Sequence, residues 1–343
     1  MNITIIGAGN TALAAACHMA SKGFPITVYA RNEVKARFWS YQPVTATGKV
    51  DGIYPIFAVS SLKEAVEKAD ILVVATLATD HVKVAEELAP HLKEGQCLLF
   101  FNGCFGALQA CRVLGEKREA LHLTIGETAN MPYIAALSSD WKTVAVKGLK
   151  EAVSFSAVGP GKDRIGTFLA GLYHKVEEVS SLAATSLGST NPIIHVAGTL
   201  FNITRVDNGE DFFFFGPAMT KRAVAVMEKA DAERLAVGRA LGLYLPSLLD
   251  GLNSFWPEKW PTLFEALRNN KSYSVSKGPV SLTYRYLSED LPCGLMATRD
   301  LGHLLSVPVP ATDILIEAAS LYLNEPVTPF LTAEDLAALR QLS

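Results

Sequence analysis

The run Gly7-Ala8-Gly9-Asn10-Thr11-Ala12 has the residue types and spacing to hold a pyrophosphate on bare backbone. Gly7 permits a tight turn, Gly9 lets a phosphate approach the main chain, and Ala12 is small enough for a helix to pack closely on a strand. The N–H groups and positive dipole end of the helix that follows complete an anion cradle. The apolar run Asn2 to Ile6 precedes the turn, the Ala-rich stretch Thr11 to Ser21 follows it, and a second strand, Ile26 to Ala30, comes next. This is the context a dinucleotide-binding turn needs; a plain strand–turn–helix corner is the alternative. An acid for the ribose hydroxyls of NAD(H) belongs at the end of the second strand. The sequence there is Tyr29-Ala30-Arg31-Asn32, with Glu33 late. A guanidinium at that place suits a 2′-phosphate, which favours NADP(H) and leaves NAD(H) open. The other reading of Arg31 is stacking on adenine or simple solvation. Thr76 after the third core strand, and Asn102-Gly103 after the next, lie on the carboxyl edge where ligands sit in open α/β sheets. They are expected to line the nicotinamide side or to form an ordinary loop.

A second group of candidates lies far downstream. In Thr190-Asn191-Pro192-Ile193-Ile194-His195, Pro192 suits the first helical position, with Asn191 at the cap and His195 in the first turn. Helical spacing puts His195, Gly198, Thr199 and Asn202 on one face. A helix start disfavours imidazolium, so His195 is expected to be neutral and ready to accept a proton. An acidic partner would offset this and fix the tautomer. The segment Arg285-Tyr286-Leu287-Ser288-Glu289-Asp290-Leu291-Pro292 reads as a loop carrying such acids beside a cation. Arg285 suits a bidentate contact to a substrate carboxylate, and Asp290 suits the task of orienting His195. Taken alone, the segment reads by default as a solvated charge cluster. His18, His81, His91, His122, His174 and His303 read as surface or packing residues.

Two kinds of element must position these groups. Up to about residue 180, apolar strands alternate with amphipathic helices, the pattern of a parallel sheet covered on both faces. Beyond it the periodicity is helical: Ile193 to Phe201, Met219 to Leu241, Leu245 to Asn253, Thr262 to Asn269, Asp300 to Leu305, Thr312 to Leu323 and Ala333 to Leu342. Thr220 is placed to cap one of these helices, and Thr332 with Asp335 resembles a capping box. The expected fold class is therefore an α/β Rossmann-like doubly wound domain over 1–180, followed by an all-α domain over 181–343.

Composition narrows the function. Of 343 residues, 49% are hydrophobic and 19% charged, which excludes a largely disordered chain. With 31 Lys and Arg against 34 Asp and Glu and no basic stripe, a nucleic-acid partner is not expected. No apolar run approaches the ~20 residues of a membrane span, so no membrane association is expected either. The five cysteines include no CxxC pair, which argues against disulfides or a metal site and for a cytoplasmic setting.

Five segments in this order resemble the octopine/nopaline (opine) dehydrogenases: GAGNTA (7–12), GETANMPY (126–133), STNPIIHVAGTLFN (189–202), EKADAERLAVGRALG (228–242) and RYLSEDLPCGL (285–295). The resemblance implies an enzyme that condenses an amino acid with a 2-oxo acid and reduces the imine with NAD(P)H. It places a His–Asp acid/base dyad on His195 and Asp290 and a carboxylate-binding guanidinium on Arg285. Asn191 and Thr128 are expected beside the substrate, and Gly7, Gly9, Asn10, Thr11, Ala12, Arg31 and Thr76 on the cofactor. For Glu127 and Thr128 a loop role stands as an alternative. The aromatic runs Phe212 to Phe215 and Phe255-Trp256 with Trp260 are read as core, or as walls of an apolar side-chain pocket. The oligomeric state is left open, with a homodimer through the helical domain as one candidate. Two rivals remain. One is a 2-dehydropantoate or glycerol-3-phosphate type of reductase, which would use a lysine, Lys221 or Lys229. The other is a non-catalytic NADP(H) sensor.

Overall fold

The computed structural model describes residues 1–274 and 276–342. The chain divides into two compact units, Met1–Thr185 and Ser186–Ser343.

The first unit holds twelve strands: β1 (Ile3–Ile6), β2 (Ile26–Tyr29), β3 (Val44–Gly48), β4 (Gly52–Tyr54), β5 (Phe57–Val59), β6 (Ile71–Val74), β7 (Cys97–Phe100), β8 (Thr124–Thr128), β9 (Tyr133–Leu137), β10 (Thr143–Leu149), β11 (Ala152–Val158) and β12 (Lys175–Glu178). Eight form one sheet in the order β12-β11-β8-β7-β6-β1-β2-β5. The six strands from β8 to β5 run parallel. Strands β1, β6 and β7 are buried along their whole length, and such burial on both faces demands continuous apolar runs. The sheet is not wholly parallel: β11 pairs antiparallel with β8 and brings β12 with it. Strand order reverses around β1, which has β2 on one side and β6 on the other. That is the topological switch point, where ligands settle outside the carboxyl ends of open sheets.

The remaining strands make a second sheet, β4-β3-β10-β9, which sequence periodicity does not foretell. It explains a feature of the first helix, Asn10–Ser21. Every residue of that helix from Ala12 to Met19 is buried, because it packs against β1 and β2 and also against this second sheet. A helix enclosed on nearly all sides must be largely apolar, and alanines let both layers approach; the buried polar exception, His18, is hydrogen-bonded to the Tyr133 hydroxyl.

The second unit is helical among its described residues, apart from one antiparallel bridge between Phe213 and Lys277. Its central helix, Asn191–Leu200, is buried from Pro192 onward. It packs against the helices Lys221–Ala240, Pro310–Leu323 and Arg285–Ser288 and the turn Leu291–Leu295. The helix ends follow local chemistry. The Thr220 hydroxyl accepts the Ala223 N–H, and Thr332 and Asp335 cap each other reciprocally.

Candidate active site

In the first unit, Gly7 ends β1 with φ +128°, and a Cβ there would lie 2.8 Å from the Ala75 carbonyl oxygen. Both backbone conformation and space therefore demand glycine. Gly9 differs: a Cβ would meet no atom within 4 Å. Nothing inside the protein requires glycine there, whereas a phosphate approaching the backbone would. Gly9 is also the cap of the first helix and offers no side chain to its N–H groups, which are left for an anion. Beside the turn is a cavity of about 240 Å³ lined by Gly7, Ala8, Arg31, Asn32, Lys35 and Thr76. These residues fit a dinucleotide.

The individual turn residues divide the work. Ala12 is fully buried and provides the close helix contact. The side-chain oxygen of Asn10 accepts the Leu137 N–H at 3.1 Å, which leaves its main-chain N–H and side-chain NH2 as the donors it can offer a phosphate. Arg31 is 63% exposed and lies 3.8 Å from Glu87, a solvated pair worth little that leaves the guanidinium free to swing. Asn32 caps the next helix by accepting the Lys35 N–H. A larger hollow of about 570 Å³ lies elsewhere in this unit, lined by His18, Lys22 and Lys150 among others and by none of the turn residues.

Thr128 calls for a correction. It lies in β8 and is wholly enclosed, its hydroxyl accepting the Asn102 N–H and donating to the Asn130 carbonyl. It shapes the loop after β7 and has no surface to offer a substrate. Glu127 is equally enclosed and accepts the Ala107 N–H at 3.0 Å. That loop turns sharply, with Asn102, Cys104 and Phe105 all in left-handed conformations.

In the second unit, His195 and Asp290 meet. The imidazole Nδ1 and the carboxylate Oδ2 are 2.7 Å apart, with side-chain exposures of 8% and 0%. An ionised carboxylate can only accept, so Nδ1–H donates and Nε2 becomes the basic nitrogen. Other buried acids of this unit serve structure through several bonds each. Asp231 takes Arg234 and the Leu248 N–H, and Asp300 takes Arg299 with the Phe330 and Leu331 N–H groups. Asp290 does not behave that way: its Oδ1 is buried without a hydrogen-bond partner, and its Oδ2 is given to the imidazole. A carboxylate enclosed for one histidine is costly as scaffolding and apt for setting a proton acceptor.

Two aromatic rings complete the imidazole's surroundings. Tyr286 stacks on it with centroids 3.8 Å apart at 18°, and Phe214 meets it edge-on at 6.0 Å. Sequence reasoning passed over Tyr286, although its place next to Arg285 was the available signal. Arg285 lies four residues before Glu289 and donates to it at 3.3 Å, while its side chain stays 39% exposed. Burial opposes the guanidinium's charge, but the Asp290 and Glu289 carboxylates outweigh that and keep it charged.

The local geometry corrects three expectations. The helix begins at Asn191, with Thr190 at the cap and no side-chain cap bond, so Pro192 is its second residue and His195 its fifth. The helix dipole's field fades within a turn and therefore acts only weakly on the imidazole. Asn191 is partly exposed at the helix start and is not its cap. Asn202 lies beyond the helix and donates to the Gly198 and Ala218 carbonyls, and Gly198 is glycine because a Cβ would lie 2.6 Å from the Phe214 ring. The segment 285–295 is helical, Arg285–Ser288 leading into a wide turn over Leu291–Leu295 that continues as the helix Met296–Leu304. Of the aromatic residues, Phe215 and Trp256 pack as core, Phe215 stacking on Tyr273 at 4.4 Å and the Trp256 indole donating to the Tyr273 hydroxyl, whereas Phe213 is exposed with Lys277 over its ring.

Among the described residues, no group of His, Cys, Asp and Glu could hold a metal ion, and no helix is long and apolar enough to cross a membrane. All five cysteines are buried and none is joined in a disulfide.

Known proteins resemble both units. Residues 178–323 match the family model described as NAD/NADP octopine/nopaline dehydrogenase, alpha-helical domain. Residues 3–131 match that of ketopantoate reductase PanE/ApbA. The chain is 28% identical over 326 residues to an opine dehydrogenase of Arthrobacter sp. (strain 1C), covering 92% of this chain and 89% of that one. A solved octopine dehydrogenase in complex with NADH and agmatine has a TM-score of 0.78 at 18% identity, covering 99% of this chain and 94% of that one. A yersinopine dehydrogenase with NADP+ bound has a TM-score of 0.76 at 15% identity, covering 100% of this chain and 98% of that one. These solved structures share its fold. The helical unit carries the dyad within the segment that the octopine/nopaline dehydrogenase model matches, and the first unit carries the glycine turn within the segment that the ketopantoate reductase model matches.

Proposed function

We propose that this protein is an opine dehydrogenase. It joins the amino group of an amino acid to the carbonyl carbon of a 2-oxo acid such as pyruvate and reduces the product to an N-(1-carboxyalkyl) amino acid. The observation that carries this reading is the buried 2.7 Å pair of His195 and Asp290, with Arg285 close by in the sequence and on the adjoining helix. The incoming ammonium must lose a proton before it can attack, and the carbinolamine oxygen must gain one before it leaves as water. Nε2 of His195 takes the first proton and returns the second, while Asp290 holds Nδ1–H and stabilises the imidazolium between the two steps. Arg285 holds the oxo acid's carboxylate, and Asn191 at the helix start adds a polar contact. A bound nicotinamide supplies the hydride that reduces the imine carbon.

The cofactor reading is NADP(H) in preference to NAD(H). Arg31 and Lys35 line the cavity beyond β2, where an NAD-binding chain would present an acid. Gly7, Gly9, Asn10, Thr11 and Ala12 serve the pyrophosphate, and Thr76 lines the same cavity. A lysine-dependent reductase is the less favoured reading. The ketopantoate reductase match ends at residue 131, and Lys221 and Lys229 are both exposed.

The test is a matrix of oxo acids, pyruvate first, against amino acids, following NADPH absorbance. Oxidation is expected only where both are present. Equal oxidation with the oxo acid alone would make the protein a hydroxy-acid dehydrogenase, and no oxidation with any pair would favour a sensor.

A further inference from the structure

We propose that Tyr286 is a positioning residue: one aromatic ring that sets both the proton affinity of His195 and its spacing from the guanidinium of Arg285. This rests on the dehydrogenase reading above for its kinetic consequences. The ring lies 3.8 Å from the imidazole centroid and nearly parallel to it, and the Arg285 guanidinium carbon is 5.5 Å from the same ring. Tyr286 thus stands in contact with both the proton shuttle and the carboxylate anchor. Its own position is fixed by Phe214 at 4.7 Å, by Tyr284 edge-on at 4.9 Å, and by near-complete burial.

The chemistry follows from the quadrupole. An aromatic face is negative and attracts a cation above it, and the attraction grows where water is excluded. When His195 takes a proton from the amine, positive charge appears against the Tyr286 face. The ring therefore favours the protonated state while leaving neutral imidazole in place. Asp290 acts on the same state through Nδ1, so carboxylate and ring reinforce one another. No hydrogen bond from the phenol is needed.

The other charges near the imidazole can be named. From its own helix, Asn191–Leu200, there is no further ionisable side chain. The adjoining segment brings Asp290, Glu289, Arg285, Tyr284 and Cys293. The inward face of Lys221–Ala240 carries Asp231 and Arg234, which close on each other at 2.5 Å. Pro310–Leu323 turns Thr312, Leu315, Ile316 and Ala319 inward, none of them charged. Tyr286 is the ring stacked on the imidazole, so altering its face leaves those charges as they are.

The experiment places Phe, 4-fluoro-Phe and 3,4,5-trifluoro-Phe at position 286 of the full chain. The ring's shape and packing persist while fluorine drains its negative face. The ionisation of His195 is read by imidazole NMR, its signal assigned by its loss in His195→Asn. Tyr286→Phe is expected to keep the His195 pKa and to hold kcat within about threefold of the parent. The trifluoro ring is expected to lower that pKa by roughly half a unit to one unit. Tyr286→Leu, which removes the ring, is expected to do the same and to raise KM for the oxo acid by about tenfold, since Arg285 loses its support. A His195 pKa unchanged across the fluorine series, with an unchanged oxo-acid KM in Tyr286→Leu, would overturn the proposal. The titration needs no turnover: if no substrate pair reacts while the pKa still tracks the fluorines, the function reading fails and the role of Tyr286 stands.

Discussion

Replacing Asp290 by Asn removes one charge and changes little else in volume. The carboxylate it deletes is fully buried and bonded to Nδ1 at 2.7 Å. With charge centres about 4 Å apart and an effective dielectric near 20, the attraction to an imidazolium is about 4 kcal/mol. That corresponds to about three pKa units, so protonated His195 becomes a far less accessible state. A second effect compounds it. The amide nitrogen of Asn donates, which turns Nδ1 into an acceptor and moves the ring proton to Nε2, where it blocks uptake of a proton from the amine. We expect kcat for the two-substrate reaction to fall by roughly 10²–10⁴-fold, with NADPH affinity unchanged. Stopped-flow NADPH oxidation measures the first and fluorescence titration the second. His195→Ala is expected to match it in size, and the double variant to add little more, because the pair acts as a unit. An Asp290→Asn enzyme whose kcat stays within about threefold of the parent would show that the carboxylate does not serve the proton transfer.

The two turn glycines predict opposite outcomes. Gly9→Ala meets open space with an ordinary backbone, φ −92°, and is expected to keep the parent's stability while weakening NADPH binding at least about tenfold. Gly7→Ala is expected to unfold more readily, by about 2 kcal/mol or more in denaturant titration, because φ is +128° and its Cβ would meet the Ala75 oxygen. Arg31→Ala is expected to cut kcat/KM for NADPH by roughly 10- to 100-fold and to leave NADH little changed; equal losses for both would remove the 2′-phosphate contact. Burial pushes the His18 imidazole, with Lys22 nearby, and that of His81 from 6.5 down to about 4. Between those values the unfolded chain binds protons the folded chain refuses, so stability falls as pH drops, by up to about 3 kcal/mol per imidazole. A Tm that stays level from pH 7 to about pH 4.5 would contradict this.

Much of the fold was legible because its signals are strong and local. Ile71–Val74 and Cys97–Phe100 are apolar runs with no polar face, which is how buried parallel strands must read. The second sheet was not legible. Val44–Gly48 alternates faces weakly, Gly52–Tyr54 has three residues, and the partner that β3 finds in β10 lies nearly a hundred positions away. The antiparallel turn of β11 onto β8 is likewise a long-range choice that no local pattern encodes. The dyad was legible in kind but not in setting. Asp290 reads as a loop residue because Pro292 follows it, yet proline is accepted early in a helical turn, where its missing N–H costs nothing. The stack on His195 depends on which way two side chains lean across neighbouring helices, and spacing alone does not disclose that. Thr128 was misplaced for the opposite reason: a polar residue at a strand end looks exposed until the loop it supports, 102–106, is seen to cover it.

In an opine dehydrogenase, hydride reaches an imine carbon formed from two substrates. The direct measurement uses NADPH deuterated at both C4 positions, pyruvate and a reactive amino acid, with the product analysed by mass spectrometry. A secondary amine dicarboxylate one mass unit heavier than its unlabelled counterpart is expected, with the label on the carbon that was the pyruvate carbonyl. Deuterated lactate beside unreacted amino acid would contradict it.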